Sequence, residues 1–276
     1  MDNSRLLALL PAAFDGKLTP LAGGLTNRSW RLDTGNGSYW LRLGCPRPEW
    51  LGIDRQRELI AHRTAANAGL APAIRFAEPT RGILVLDWLD EPSWSYLEPA
   101  AAATLAGVLA RLHGLSPSLP PLELRGQLAR YLSRLRRLPA EIAAVLPLFE
   151  RPALNLPFTP VFCHNDLSGT NLLGPRPWLI DWEYAAMGDA AFELAVVWDG
   201  FGLDEQGGRR LVERYAEAGG DISLARVRAR LPWVQLITAL WAALQWQQTD
   251  DIRYRDYQRQ ATARLPDSLN RIGLSA

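Results

Sequence analysis

The chain has 276 residues, of which 48% are hydrophobic and 21% charged, which is enough apolar material for one large domain or two packed lobes. A formal net charge of +1 provides no basic field for nucleic acid or an anionic membrane, and no run approaches the roughly 18 apolar residues of a membrane span. The N-terminus does not resemble a secretion signal, and the two cysteines lack metal-ligand spacing. We therefore expect a cytoplasmic protein without a zinc site and without nucleic-acid or membrane partners.

The first third of the chain predicts a small antiparallel sheet. Tyr39, Leu41 and Leu43 occupy alternate positions, as in a half-buried strand, and the turn Thr34–Gly37 indicates a hairpin before them. A helical pattern covers Ile53–Ala68, and the segments AIRFAE and GILVLDWL predict two more strands. Five short strands with one helix after the third predict a sheet that carries a helix on one face.

The remainder of the chain has mainly helical patterns. The predicted helices cover Pro99–Leu112, Leu122–Leu138, Ala190–Trp198, Glu205–Ala218 and the residues from Ile222 to the C-terminus. Pro232 is expected to break or kink the last helix because proline lacks a backbone N–H. A β-like segment at 161–182 interrupts the helices and carries a polar loop. The predicted class is α+β, with an N-terminal lobe of residues 1–90, a helical lobe of residues 91–276 and a hinge near Asp87–Glu91.

The polar loop, in the segment VFCHNDLSGTNLLGPRPWLIDWEY, carries residues suited to phosphate chemistry. Asp166 and Asn171 lie five positions apart, and Asp181 follows a short apolar strand fifteen positions after Asp166. Phosphoryl transfer needs a carboxylate that orients and deprotonates the attacking hydroxyl, and oxygen ligands that hold Mg²⁺ between phosphates. An Asp–Asn loop followed by a second Asp can supply both, whereas such a pair alone would more often form turns and caps.

The order H-x-D-x-x-x-x-N, a strand, then D-x-E resembles the catalytic and metal-binding loops of eukaryotic-like kinases, in particular the aminoglycoside phosphotransferase and choline kinase superfamily. The resemblance implies a two-lobed protein-kinase-like fold with ATP and Mg²⁺ in the cleft. It assigns Asp166 as the catalytic base or orienting carboxylate, and Asn171 and Asp181 as Mg²⁺ ligands. Glu183 could join the metal shell, face a cationic substrate or form a structural hydrogen bond.

Three polar residues near this loop are expected to support it. His164 and His113 resemble structural histidines of the superfamily, and we assign them no chemical role. Asp189 is expected to cap the helix that follows it, or to brace the catalytic loop.

The N-terminal lobe is expected to bind the nucleotide through a glycine turn. Gly23 and Gly24, followed by Asn27, lie between the first two predicted strands, where backbone N–H groups could approach phosphate oxygens. Taken alone, a Gly-Gly pair is most often only a turn. The resemblance adds a hinge strand beside the adenine, formed by Asp87, Trp88 and Leu89.

The phosphate-binding cation of the third strand is predicted to be an arginine. Lys17 is the only lysine, so 29 of the 30 basic residues are arginine, and Lys17 precedes the glycine turn. Kinases place a lysine on the third strand, paired with a helix glutamate. Arg42 occupies that position here and can bind phosphate through two parallel hydrogen bonds. Glu58 is its predicted partner, with an exposed surface charge as the alternative. Choline and thiamine kinases resemble this chain in carrying arginine at this place.

A set of residues in the C-terminal half is predicted to contact the substrate: Glu183, Tyr184, Trp198, Trp241 and Trp246. Aromatic rings attract quaternary ammonium groups or stack on flat cationic rings, and they also fill helical cores. The run LIDWEYAAMGDAAFELAVVW and the pattern W-x-x-x-x-W-x-x-T-D ending at Asp250 resemble bacterial thiamine kinase. The opening GGLTNRSW resembles choline kinases that decorate bacterial surface glycans.

The resemblance implies an ATP- and Mg²⁺-dependent kinase acting on the hydroxyl of an organic cation, with thiamine first and choline second. An aminoglycoside or amino-sugar phosphotransferase and a non-catalytic nucleotide-binding module are the alternatives. The presence of Asp166, Asn171 and Asp181 together argues against a non-catalytic module. No Ala-Pro-Glu motif follows Asp181, which disfavours a protein kinase.

Overall fold

The computed structural model describes residues 3–22, 24–94 and 96–275, and it has the two-lobed α+β fold that the sequence predicts. The strands of the N-terminal lobe are β1 (Gly16–Leu21), β2 (Arg28–Thr34), β3 (Gly37–Leu43), β4 (Ile74–Glu78) and β5 (Ile83–Asp87). They form one antiparallel sheet in the order β1–β2–β3–β5–β4. The lobe boundary at residues 90 and 91 stays a prediction.

The helices lie mainly in the C-terminal lobe. They are α1 (Asn3–Leu7), α2 (Pro48–Leu51), α3 (Arg55–Asn67), α4 (Pro99–His113), α5 (Leu124–Leu132), α6 (Ala140–Val145), α7 (Ala190–Gly200), α8 (Glu205–Glu217), α9 (Leu224–Thr249) and α10 (Ile252–Asn270). Two short two-stranded antiparallel sheets lie between α6 and α7: β6 (Val161–Cys163) pairs with β9 (Ala186–Gly188), and β7 (Leu172–Leu173) pairs with β8 (Trp178–Leu179). No helix in the described ranges is both long and apolar enough to cross a membrane.

The hairpin between β2 and β3 forms where the turn residues predicted it. Thr34 pairs with Gly37, and the Thr34 hydroxyl donates to the Gly37 carbonyl at 3.0 Å. The Asn36 N–H donates to the same hydroxyl at 3.1 Å. Gly37 has a φ of 135°, a conformation that favours glycine. Local turn chemistry therefore sets the register of β3.

Strand β3 separates an apolar face from a polar one. Leu41 is fully buried with Trp30 and Leu32 in the small core of the sheet. Because successive side chains of a strand point to opposite faces, the neighbouring Arg42 lies on the other side, against helix α3. The register of the strand thus directs a guanidinium toward the cleft.

Helix α3 connects the sheet with the core of the C-terminal lobe. It begins after Asp54, whose side chain accepts hydrogen bonds from the N–H groups of Gln56 and Arg57 at 2.9 and 3.2 Å. Ala61 and Ala65 are fully buried and belong to the larger hydrophobic core rather than to the sheet's own core. The position of α3 is therefore fixed by packing against the C-terminal lobe.

Of the two predictions for Pro232, the break is wrong and the kink stays a prediction. Helix α9 runs through Pro232 without interruption, because the residues around it, such as Trp233, are buried in the core and this packing offsets the missing hydrogen bond. The helix ends at Thr249, the next residue Asp250 has a φ of 55°, and Asp251 then caps α10. Helix α5 is also shorter than predicted and ends at Leu132.

Close packing of α8 on the ring of Trp198 gives a stability test. A Cβ placed on Gly208 would overlap that ring, whereas a Cβ on Gly107 in α4 would meet no atom within 4 Å. We expect Gly208→Ala to lower the free energy of unfolding by about 1–3 kcal/mol through overpacking. Gly107→Ala should raise it by about 0.5–1 kcal/mol through helix propensity. Denaturant unfolding measures both, and equal effects of the two substitutions would contradict the packing described.

Candidate active site

Asp166 and Asn171, predicted from their spacing, lie in direct contact at the base of the cleft. The amide nitrogen of Asn171 donates to the backbone carbonyl of Asp166 at 2.7 Å and to its Oδ2 at 3.2 Å. Asn165, just before Asp166, has a φ of 66°, which turns the chain sharply after β6. The loop therefore holds the Asp166 carboxylate in one orientation.

Asp181 reaches the same place from the hairpin β7–β8. The Ile180 N–H donates to the carbonyl of Asn171 at 3.1 Å, which brings the following Asp181 beside the catalytic loop. The Asp181 backbone is left-handed, with a φ of 65°, and its Oδ1 lies 3.6 Å from Nη1 of Arg42. This Oδ1 is buried and has no hydrogen-bond partner among the described residues. Asp181 thus presents an unsatisfied oxygen to the cleft.

Burial and repulsion from neighbouring carboxylates raise the pKa values of these two carboxyl groups. Burial and the nearby Glu183 raise the pKa of Asp166 to about 7, against the opposing hydrogen bond from Asn171. Burial and Glu183 likewise raise the pKa of Asp181 well above its usual value. Carboxylates in this state would gain strongly from a cation placed between them.

Arg42 and Glu58 form the buried pair that the sequence predicts. Both guanidinium nitrogens of Arg42 bond to the Glu58 carboxylate, Nη2 to Oε2 at 2.9 Å and Nη1 to Oε1. Both side chains are 3% exposed. Although burial opposes ionisation, Arg42 and Arg55 lower the pKa of Glu58 to about 2, so the pair is charged.

Arg55 is a site residue that sequence reasoning missed. Its Nη1 donates to Glu58 Oε2 and to Glu183 Oε2, each at 2.9 Å, and its Nη2 donates to Asn27 Oδ1 at 2.9 Å. Asn27 in turn donates to Glu183 Oε2 at 2.8 Å. The available signal was the spacing of Arg55 and Glu58, which lie three apart on one helix face. Glu183 and Asn27 therefore bind protein groups through their side chains, in addition to any ligand role.

The glycine turn is only partly described, because Gly23 lies outside the described residues. A Cβ on Gly24 would lie 2.5 Å from the carbonyl oxygen of Asn27, so the turn closes tightly on itself at this position. The hydroxyl of Tyr254, from α10, donates to the carbonyl of Leu25. The C-terminal lobe thus contacts the turn directly.

The three residues of the predicted hinge strand lie in three different environments. The Asp87 carboxylate is bound by Arg75 through two hydrogen bonds of 2.6 and 2.8 Å on the outer surface. The Trp88 ring lies under the Arg31 guanidinium at 4.9 Å from its centroid, and its N–H is buried without a partner among the described residues. Leu89 is half-buried. Of the three, Trp88 has an unsatisfied group that a ligand could meet.

Glu193, on helix α7, anchors the loop that carries Asp166, and sequence reasoning also missed this residue. Its Oε1 accepts the backbone N–H groups of His164 and Asn165, both at 2.8 Å, and its Oε2 is bound by His113 Nε2 at 2.8 Å. A lone glutamate in the apolar run AAFELAVVW was the available signal, because a buried carboxylate needs partners.

The other supporting residues take the structural places expected. His164 bonds to the Ile180 carbonyl at 2.9 Å, and burial lowers its pKa. Asp189 caps α7 by accepting from the Ala191 N–H, and it pairs with the buried Arg230 at 2.8 Å.

His113, Cys163 and Glu193 lie close enough to hold a metal ion, with donor atoms within 4.8 Å of one another. Both oxygens of Glu193 already accept hydrogen bonds, from His113 and from the backbone. Burial raises the pKa of Cys163 well above its usual value, which keeps the thiol protonated. The cluster is therefore satisfied by hydrogen bonds.

The predicted substrate aromatics occupy different environments. The hydroxyl of Tyr184 is buried without a partner among the described residues, and burial raises its pKa well above the usual value. Trp241 also has an unpartnered N–H, and it packs edge-on against Tyr254 with ring centroids 5.5 Å apart. Trp246 lies beneath the guanidinium of Arg255.

Trp198 is a core residue whose N–H donates to the Leu203 carbonyl at 2.8 Å, which leaves it no free face for a substrate.

Comparison with known proteins gives a consistent set of similarities. Residues 17–233 match a family model described as "Phosphotransferase enzyme family". A thiamine kinase from Salmonella heidelberg (strain SL476) is 33% identical over 68% of each chain. A choline/ethanolamine kinase family protein from Mesorhizobium loti superposes with a TM-score of 0.78 and 26% identity, covering 98% of this chain and 95% of that one. The choline kinase LicA from Streptococcus pneumoniae, 21% identical, shares the fold with a TM-score of 0.82 over 97% of each chain.

The raised pKa of Asp166 predicts a pH effect on stability without divalent ions. The folded group takes up its proton near pH 7, whereas the unfolded one does so near its ordinary pKa of 3.8. The ionised carboxylate therefore lowers the free energy of unfolding above pH 7, and this destabilisation is lost as the pH falls toward 4. The melting temperature of the wild type, measured in EDTA relative to Asp166→Asn, should rise by several degrees between pH 8 and pH 5. Parallel curves for the two proteins would contradict this assignment.

Proposed function

This chain belongs to the phosphotransferase enzyme family, and from that premise we propose that it is an ATP- and Mg²⁺-dependent kinase. The acceptor is the hydroxyl of a small organic cation, with thiamine as the first candidate. The observation that carries the proposal is the convergence of Asp166, Asn171 and Asp181 opposite the buried Arg42. These groups supply what in-line phosphoryl transfer requires, namely an oriented carboxylate, oxygen ligands and a phosphate-binding cation.

Asp166 acts on the acceptor hydroxyl. Its pKa near 7 keeps a useful fraction ionised at neutral pH, so the carboxylate can accept a hydrogen bond from the hydroxyl and take its proton as the bond to phosphorus forms. Asn171 fixes the carboxylate through its amide nitrogen. The acceptor oxygen is thereby oriented toward the γ-phosphate, and positioning of this kind supplies much of the rate enhancement.

The residues present fit a Mg²⁺ ion. Asp181 Oδ1 is buried without a partner, and Asn171 Oδ1 makes no hydrogen bond among the described residues, while hard oxygen ligands are those Mg²⁺ prefers. The cleft also holds more negative than positive groups: Glu58, Glu183, Asp166 and Asp181 against Arg42 and Arg55. Bound by Asn171 and Asp181, Mg²⁺ would offset this charge and that of the phosphates.

An organic cation as acceptor is supported by the thiamine kinase that is 33% identical to this chain. The rings of Tyr184 and Trp241 are only partly buried, so a substrate could contact them. Rings of this kind bind flat or quaternary cations. Choline is the second candidate, because the 26%-identical neighbour is a choline/ethanolamine kinase family protein.

A coupled assay of ADP release tests the proposal. The purified chain is supplied with ATP and Mg²⁺ and, in turn, with thiamine, choline, ethanolamine, an aminoglycoside and N-acetylmuramic acid. Asp166→Asn serves as the blank, and Asp267→Asn, at an exposed position on α10, is the matched control. We expect turnover on one organic cation that falls by at least about 100-fold in Asp166→Asn and is unchanged in Asp267→Asn.

Turnover on the aminoglycoside or the amino sugar alone would contradict the proposed organic-cation substrate, although the reaction would still be phosphoryl transfer to a hydroxyl. Nucleotide binding without turnover on any acceptor would contradict the proposal and favour a non-catalytic module. Equal turnover by the wild type and Asp166→Asn would remove Asp166 from its role.

The Arg42 position gives an independent prediction. Arg42→Lys keeps the positive charge but cannot bond both oxygens of Glu58 while facing phosphate. We expect a rise in the KM for ATP together with a fall in kcat, each by about tenfold. Steady-state kinetics with Arg75→Lys, an exposed arginine of β4, provide the comparison. Unchanged constants in Arg42→Lys would show that the bidentate geometry does not matter.

A further inference from the structure

Asn27, Arg55 and Glu183 form a closed ring of hydrogen bonds between the two lobes, which we call the interlobe triad. Arg55 donates to Asn27 Oδ1 through Nη2 and to Glu183 Oε2 through Nη1, both at 2.9 Å. Asn27 closes the ring by donating to the same Glu183 oxygen at 2.8 Å. Each member thus forms hydrogen bonds with both of the others.

The triad is buried, so its bonds are not exchanged freely with water. Asn27, Arg55 and Glu183 are each less than 9% exposed. A buried carboxylate without its cation is costly, because the charge has lost its hydration. Glu183 has Arg55 as its ion-pair partner at 2.9 Å, so its position depends on where Arg55 lies.

The backbone at the end of β3 packs closely against the Arg55 guanidinium. A Cβ on Gly44, just after β3, would lie 2.7 Å from Nη2 of Arg55. The Cys45 N–H donates to Asn27 Oδ1 at 3.1 Å, which fixes the amide from the other side. The end of β3 therefore holds both side chains of the N-terminal lobe in place.

The members of the triad come from three segments that a phosphate-transfer reaction must align. Asn27 follows the glycine turn, Arg55 begins helix α3, and Glu183 comes two residues after Asp181. The Asp181 backbone is left-handed, so the chain bends between the cleft and the triad. Holding Glu183 therefore limits where the Asp181 carboxylate can lie relative to the glycine turn.

We propose that Asn27 and Arg55 are positioning residues, and that they hold Glu183 so that Asp181 keeps a fixed distance from the glycine turn. In this arrangement Glu183 acts through its hydrogen bonds to protein and is neither a Mg²⁺ ligand nor a substrate contact. The inference rests on the proposed function for its kinetic consequences. The hydrogen-bonded ring itself can be tested without an acceptor.

Isosteric replacement of Glu183 distinguishes this role from metal binding. The side-chain oxygen of Glu183→Gln can accept both hydrogen bonds that Oε2 accepts now, whereas Glu183→Ala can accept neither. We expect Glu183→Ala to lower kcat by about 10- to 100-fold and Glu183→Gln to lower it much less, with a change of at most about threefold in the Mg²⁺ concentration for half-maximal rate, as the loss of one nearby charge would give. A large shift in Mg²⁺ requirement in Glu183→Gln would overturn the proposal in favour of a metal ligand.

A double-mutant cycle of Asn27→Ala and Arg55→Lys tests the ring. Arg55→Lys keeps a charge beside Glu58 and Glu183 but loses the second nitrogen that binds Asn27. Melting temperatures without nucleotide, affinities for Mg-ADP, kcat and KM are measured for all four proteins. Arg57→Lys, exposed on the same helix, is the control and should match the wild type.

We expect each single substitution to lower kcat about tenfold with a smaller change in KM. The double variant should be about as active as the less active single variant, since both substitutions break the same ring. Additive losses in kcat and in melting temperature would overturn the proposal. If the wild type phosphorylates no acceptor, the proposed function fails. In that case, non-additive effects of the two substitutions on the melting temperature and on the affinity for Mg-ADP still decide whether the hydrogen-bonded ring keeps the cleft residues in position.

Discussion

The balance of charge inside one buried cleft is the constraint on which this structure depends. Arg42 is paired with Glu58, and Arg55 is paired with both Glu58 and Glu183. Asp166 has no ion-pair partner among the described residues, and Asp181 has only Arg42 at 3.6 Å, without a hydrogen bond. Burial together with Glu183 raises the pKa values of both carboxyl groups. Under the proposed function, a metal–nucleotide complex would supply a cation to these carboxylates and phosphate groups to the arginines.

The fold delivers these groups from elements that are rigid for independent reasons. Strand β3 alternates Leu41 into the sheet's core and Arg42 into the cleft. Helix α3 is fixed by its alanines against the C-terminal lobe, and Glu193 holds the backbone of the catalytic loop from α7. A neighbouring element thus anchors each contributor, and Arg55 connects the two lobes through its hydrogen bond to Glu183.

The sequence predicted those parts of the fold and site that local spacing determines. Turn residues and alternation located the sheet, and the Asp166–Asn171 spacing located a loop whose side chains do touch. Arg55 and Glu193 were missed because their partners, such as Glu183, are distant in sequence and meet them only through tertiary packing. Trp198 was placed in the pocket because composition cannot separate an aromatic wall from an aromatic core.

Calorimetric titration of ADP into the protein, with Mg²⁺ and then with EDTA, tests the central claim most directly. The unpaired carboxylates predict that ADP binds at least about tenfold more tightly with Mg²⁺, and that Asp181→Asn removes most of this difference. Equal affinity for ADP in Mg²⁺ and in EDTA would contradict the account, because the excess negative charge of the cleft would then need no metal.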